Sequence, residues 1–403
     1  MFAIASDDVE EVRRVLESGE AGPNDQLGPQ SALAFTLTND RLMHKMEIVK
    51  ELLAYGANPA SLHNPEMNPP HSASIFASGS DHGREAGGWP LVVTPPLTTT
   101  MDGMNPATRY YISRADAPAT RKTSALIHRS IFRPLTRMRY DIVGQDRVFE
   151  QLFMHLNEHS RRFSVSPIVF LFCGPSGHGK SLLAHKFGSL LGIPTHTVNM
   201  TSLRSTHDLW QSQSYQDMSP QTLSEFLLEN EGKRCVVVLD EIEKVQDPKV
   251  HYSLLPAFEG RYFLHGPNRL VDMRNVVWLG TSNLGDQYVF EYQSTLSNPT
   301  AAMSREEYLD LIGLMRTKVT DQLGGGLIGR CTAVLPFVPF TEEEKIVIAT
   351  EALLMHQADA ELAEGLSAAT LENAARKSLA RYIPAEGARS LHRAVSAMLL
   401  DLF

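Results

Sequence analysis

Eight consecutive residues narrow what this chain can fold into more than anything else in its sequence: Gly174-Pro175-Ser176-Gly177-His178-Gly179-Lys180-Ser181. They fit GxxxxGK[ST]. In that pattern glycines let backbone N–H groups close on phosphates, a lysine sets a point charge against them, and a Ser or Thr hydroxyl ligates Mg²⁺. The pattern needs a strand before it and a helix after it. The apolar run Ile168–Cys173 supplies the first and the stretch Leu182–Leu191 the second. Four further apolar runs, His196–Met200, Cys235–Leu239, Val276–Gly280 and Thr332–Phe337, alternate with helical stretches. Their near-continuous Val, Ile, Leu and Phe content predicts a parallel sheet covered on both faces, hence an α/β domain. We place it at 137–340. From about Thr341 the pattern is helical only, which predicts a small helical lid over 341–403.

The chain ahead of this domain divides in two. Residues 1–61 carry a partial internal repeat: Val12-Arg13-Arg14-Val15-Leu16 before Gly19 echoes Val49-Lys50-Glu51-Leu52-Leu53 before Gly56, 37 positions on. Ankyrin repeats recur at ~33 residues, so an ankyrin-like α-helical repeat region is the expectation, with an ordinary helical hairpin as the alternative. Residues 62–136 break every period. Prolines recur from Pro65 to Pro134 among Ser, Thr, His and Gly, and a linker or extended loop is expected there. The arginines Arg109, Arg114, Arg121, Arg129, Arg133, Arg137 and Arg139 are expected to be solvated or to face an acidic neighbour.

Two more strand ends carry chemistry. Val236-Val237-Val238-Leu239 runs into Asp240-Glu241 about sixty residues after the phosphate loop. Asp240 at a strand end can join Ser181 in holding Mg²⁺, and Glu241 can take a proton from an attacking water. The strand Val276–Gly280 ends in Thr281-Ser282-Asn283, and the Asn283 amide can orient that water. His155-Leu156-Asn157-Glu158-His159 matches a zinc-protease string, but no third ligand is evident in the sequence.

These residues resemble the AAA+ ATPases of the Clp/ClpB disaggregase branch. Asp240-Glu241-Ile242-Glu243-Lys244 resembles that branch's DEIEK segment, Glu259-Gly260-Arg261 its D-G-R turn, and Thr281-Ser282-Asn283-Leu284-Gly285 its TSNLG sensor-1 segment. Ile142-Val143-Gly144-Gln145-Asp146 resembles the box lining the adenine pocket. Tyr382, Gly387-Ala388-Arg389, Leu391 and Arg393 resemble the sensor-2 segment of the lid. With the helical front end, the order resembles the ankyrin-repeat CLPB-type proteins of eukaryotes. The resemblance implies an AAA+ P-loop three-layer domain that hydrolyses ATP with Mg²⁺. Gly174 to Ser181 with Ile142 and Val143 would bind the nucleotide, and Ser181 and Asp240 the metal. Glu241, Asn283 and Arg389 would act in catalysis. Arg330 would be the arginine finger reaching a neighbouring copy, although the family's Leu-Asn-Arg-Ile-Asp frame reads Ile328-Gly329-Arg330-Cys331-Thr332 here. The family's aromatic pore loop, Gly-Tyr-Val-Gly, is missing; Trp210 or Tyr215 lies in the matching interval, either substituting for it or anchoring a different loop.

The implied partners are copies of the chain in a ring, a hexamer, together with unfolded or aggregated protein clients. The ankyrin-like region would bind a further protein. A non-threading nucleotide switch acting through that region is the alternative, and a nucleic-acid motor the third. A surplus of 46 Asp and Glu over 37 Lys and Arg, net charge −9, counts against nucleic acid. No apolar run approaches the ~20 residues of a membrane helix. Three cysteines beside apolar runs suit a reducing compartment. The acidic N-terminus lacks a secretory pattern, so a cytoplasmic location is expected and a mitochondrial one stays open.

Overall fold

A computed structural model describes residues 2–27, 30–39, 41–62, 103–161, 166–211, 221–264, 269–359 and 367–400. Two units emerge. One spans Met1–Ala117 with Leu366–Leu371, the other Pro118–Gly365 with Glu372–Phe403.

In the first unit, helices Phe2–Ala5, Val9–Ser18, Ala32–Thr38 and Lys45–Ala54 are joined in the middle by a β-hairpin, β1 (Gln26–Leu27) with β2 (Gln30–Ser31). Asp8 accepts the Glu10 and Glu11 N–H groups to start the helix Val9–Ser18. The echoed segments are equivalent in place: Val12 and Leu16 are buried, as are Val49, Leu52 and Leu53. Gly19 and Gly56 both take left-handed φ, +73° and +95°, where each helix is left. Asn24 ties the two halves, donating to Gly56 O at 3.0 Å and accepting from Asn58 N at 2.7 Å.

The expected linker over 62–136 is corrected in its described part. Pro106–Asp116 and Pro118–Ile127 are helices, followed by a 3-10 turn at Arg133–Arg137. Both prolines stand at a helix start, where a missing N–H costs nothing. Asn105 caps the first of these helices through Thr108 N. That helix belongs to the first unit and packs on Lys45–Ala54; the second belongs to the other unit. The arginines are corrected in part: Arg137 Nε faces Asp141 Oδ1 and Arg139 Nε faces Asp146 Oδ1, each at 3.8 Å, but not all of them are solvated. Arg114 and Arg139 are buried. Arg139 donates to Thr120 O at 3.1 Å, Ser124 Oγ at 3.0 Å and Thr123 Oγ1 at 2.7 Å, and covers the Phe153 ring. It fastens one helix to the next instead of facing solvent.

The second unit is built on five parallel strands in the order β4-β5-β8-β3-β9. They are β3 (Ile168–Cys173), β4 (Thr195–Asn199), β5 (Cys235–Asp240), β8 (Val276–Thr281) and β9 (Ala333–Pro336). All residues of β3, β8 and β9 are buried, which is why their sequences show no alternation. The order puts β8 between β3 and β5, in register Phe170–Leu279 on one side and Val238–Leu279 on the other. Helix Lys180–Leu191 packs on β5 and β8, and helix Asp146–Arg161 on β9. An antiparallel hairpin, β6 (Arg261–Leu264) with β7 (Arg269–Asp272), lies outside this sheet. Beyond β9 the described residues form only helical elements, the longest being Glu342–Asp359, Ala368–Ser378 and Ala388–Leu400.

Candidate functional site

Parallel strands deliver their C-terminal ends to one edge, and there β3, β5 and β8 place their loops side by side. The loop after β3 is the phosphate pattern. Gly177 has φ +73°, and a Cβ on it would come within 1.9 Å of Glu386 O, so no other residue fits. Helix Lys180–Leu191 starts from Gly179 without a side-chain cap, leaving its first amides to a ligand. Lys180 is buried, with Nζ donating to Gly174 O and Pro175 O at 2.7 Å each. Burial pulls its ammonium down to about 8.

At the end of β5, Asp240 Oδ1 accepts from Ser181 Oγ at 3.1 Å and from Thr281 Oγ1 at 2.5 Å. Glu241 takes a left-handed backbone, φ +57° and ψ +53°. Its N–H donates to Thr281 Oγ1 at 3.0 Å, and its Oε1 lies 3.4 Å from Asn283 Nδ2. Glu243 Oε1 accepts the Asn283 N–H at 2.9 Å. The C-terminal segment also arrives here: Ala388 N donates to Gly177 O at 3.0 Å and Arg389 Nη1 to Ser176 Oγ at 3.1 Å. Ile142 and Val143 are buried, and a Cβ on Gly179 would come within 2.9 Å of Ile142 Cγ2.

The sequence-derived residues Lys180, Ser181, Asp240, Glu241, Asn283 and Arg389 therefore meet in one place. Three sequence-derived side chains stand apart from this cluster. His178 belongs to the loop by its backbone, but its ring turns into the protein, stacked on Phe340 at 4.5 Å with Nδ1 against Ser176 O at 2.7 Å. Burial lowers it to about 4, so it is a neutral packing group. Arg330 stays outside the cluster. It pairs with Glu259, Nε to Oε1 at 2.7 Å, and Nη1 donates to Gly326 O at 2.8 Å. Trp210 is buried, stacked on Tyr262 at 4.0 Å with Nε1 donating to Ser253 Oγ at 3.0 Å, so it does not project from a loop. Tyr215 lies outside the described residues. Sequence reasoning missed Thr281 and Glu243 as partners of the carboxylate and amide, although both stand in the motifs that drew attention to their neighbours.

The donor set fits a nucleoside triphosphate with a divalent cation. A glycine-shaped cradle, open helix amides and Lys180 suit a polyphosphate, and the Asp240 carboxylate beside the Ser181 hydroxyl suits a hard cation with oxygen ligands. The zinc string does not converge: His155 lies against Phe170, while His159 Nε2 is 3.2 Å from Ser166 O.

A phosphate loop on an inner parallel strand, with an acidic pair and a polar amide at the ends of two further strands, defines a P-loop nucleotide-binding domain. Its kind is narrower than that. Residues 166–334 match the family model described as AAA domain (Cdc48 subfamily). The chaperone protein ClpB of Chlamydia pneumoniae is 29% identical over 188 residues, covering 45% of this chain and 21% of that protein. ClpB of Propionibacterium freudenreichii is 30% identical over 247 residues, covering 58% and 26%. Among solved structures, a closed-state reconstruction of Hsp104 with ATPγS and FITC casein shares the fold, with TM-score 0.52, 20% identity, 73% of this chain covered and 51% of that one. Residues 166–334 are thus similar to an AAA domain, and the sequence around them is similar to that of ClpB chaperones. It spans 21–26% of the ClpB chains named.

Proposed function

We propose that this chain hydrolyses ATP to ADP and phosphate and uses the cycle to remodel protein clients, working as a ring of its own copies. The carrying observation is the convergence of Lys180, Ser181, Asp240, Glu241 and Asn283 on one sheet edge. ATP with Mg²⁺, when bound, supplies the scissile γ-phosphate and a cation that neutralises the oxygens around it, with Ser181 and Asp240 as the cation's holders. Lys180 gives up two carbonyl partners for phosphate oxygens. Glu241 accepts the proton of the attacking water, whose position Asn283 fixes. Arg389 adds a positive charge from the helical lid. Arg330, half-exposed and paired with Glu259, is the arginine finger offered to a neighbour's nucleotide. The helix pairs of residues 2–62 support an ankyrin-like partner-binding region. The buried, unpaired cysteines suit the cytoplasm.

One observation favours a second reading. Trp210 is fixed in the core, stacked on Tyr262, so it is not free to grip a threaded polypeptide. A nucleotide switch that controls partner binding needs no such grip. ATP turnover measured with and without an unfolded model protein separates the two. Stimulation by the unfolded chain supports remodelling, turnover indifferent to it supports the switch, and no turnover at all refutes both.

A further inference from the structure

The β5–β8 ladder ends at the pair Leu239–Gly280. One residue on, β5 turns sharply, because Glu241 adopts a left-handed conformation that costs a non-glycine residue roughly 1–2 kcal/mol. Such a turn persists only where the surroundings over-determine it. Its amide has lost the strand partner it would have had. Thr281, at the end of β8 and 1% exposed, replaces that partner with its side chain. Its hydroxyl oxygen accepts the Glu241 N–H at 3.0 Å and donates its own proton to Asp240 Oδ1 at 2.5 Å. One hydroxyl therefore fastens two consecutive residues with different duties, the cation holder and the water-activating base. A second lace runs the other way, from Asn283 N–H to Glu243 Oε1 at 2.9 Å. The two bonds set Asn283 Nδ2 at 3.4 Å from Glu241 Oε1.

We infer that Thr281 is a positioning residue for hydrolysis: it holds the Glu241 backbone in the strained turn that aims its carboxylate, and locks that turn to Asp240. This rests on the ATPase reading above and deepens it. Valine matches threonine in shape but lacks the hydroxyl, so Thr281→Val removes both bonds and keeps the packing. A misplaced base costs up to ~10²-fold in rate for a shift of about 1 Å. Phosphate binding rests on Lys180 and the loop amides, which Thr281 does not touch.

The test compares parent, Thr281→Val and Thr281→Ser in three readouts: ATP turnover at saturation, affinity for a fluorescent ATP analogue, and hydrogen exchange of the Glu241 amide. Thr281→Val should cut turnover about 10–100-fold. Its affinity should stay within about threefold, and its Glu241 amide should exchange at least about tenfold faster. Thr281→Ser should recover most of both losses. Unchanged turnover in Thr281→Val overturns the inference. So does a Thr281→Ser variant no better than Thr281→Val, since packing and not the hydroxyl would then matter. A parent that binds ATP without turning it over sinks the ATPase reading and the catalytic half of the inference. Amide exchange still decides whether Thr281 holds the turn.

Discussion

Replacing Glu241 by glycine should make the ATPase unit more stable than replacing it by glutamine, while both changes stop hydrolysis. Either substitution removes the carboxylate charge from beside Asp240 and Glu243, so charge relief cancels between them. Glutamine keeps a Cβ, and with it the strain of φ +57° and ψ +53°. That strain is roughly 1–2 kcal/mol. Glycine relieves it but loses about 0.5–1 kcal/mol through the freedom of the unfolded chain. The difference favours glycine by about 0–1.5 kcal/mol, roughly 0.75 at the centre of both ranges. In a unit of this size that central value corresponds to a melting temperature higher by roughly 1.5–3 °C. The assay is thermal unfolding of the two variants without nucleotide, beside ATP turnover of each. Loss of the base should lower turnover by about 10²–10⁴-fold in both. A glutamine variant as stable as the glycine variant, or more so, would refute the strain argument. A glutamine variant with parental turnover would refute the assignment of the base.

His178→Phe should flatten the acid limb of stability. The histidine's folded value, about 4, is below its ordinary 6.5 because burial disfavours the charged ring. The unfolded chain therefore binds the proton first, and stability is full above 6.5 and lost as pH falls through that value towards 4. At pH 5 the loss relative to pH 7 is about 2 kcal/mol, read as a drop in urea midpoint that the phenylalanine variant should lack. Trp210→Ala should destabilise the unit by about 3–5 kcal/mol, since it empties a stacked core position; a variant with parental melting temperature and lost client coupling would restore the gripping role. Mixing Arg330→Ala with Lys180→Ala subunits should recover part of the turnover each lacks alone, because the finger and the phosphate site then come from different copies. No recovery at any ratio counts against a shared site.

Most of the main sheet was legible because β3, β5, β8 and β9 are buried on both faces, which leaves uninterrupted apolar runs that no other element explains so well. What escaped was structure carried by individual residues. Pro106 and Pro118 read as breaks because a proline outside any visible period gives no hint that it opens a helix. The hairpin β6–β7 escaped because its strands are four residues long and Leu270 is exposed, so no apolar alternation marks them. Arg139 read as solvated or facing an acidic neighbour, and Asp146 is that neighbour, at 3.8 Å. Its other partners are hydroxyls and a carbonyl 15 to 19 positions back, and no charge pattern points to them.

The site divides along the same line. Lys180, Ser181, Asp240, Glu241 and Asn283 follow strands of one parallel sheet, so strand direction alone carries them to a common edge. Arg389 has no such guide. It lies 213 positions from its partner Ser176, and only the resemblance of Gly387-Ala388-Arg389 to a sensor-2 segment pointed to it. Thr281 is harder still. Its role exists only because Glu241 turns left-handed, and composition at that position favours no such turn, since glycine, not glutamate, is the residue that adopts it freely. The strain and the hydroxyl that holds it are thus one feature. A sequence reading that treats Asp240-Glu241 and Thr281-Ser282-Asn283 as separate motifs divides it, although the chemistry depends on their being tied together.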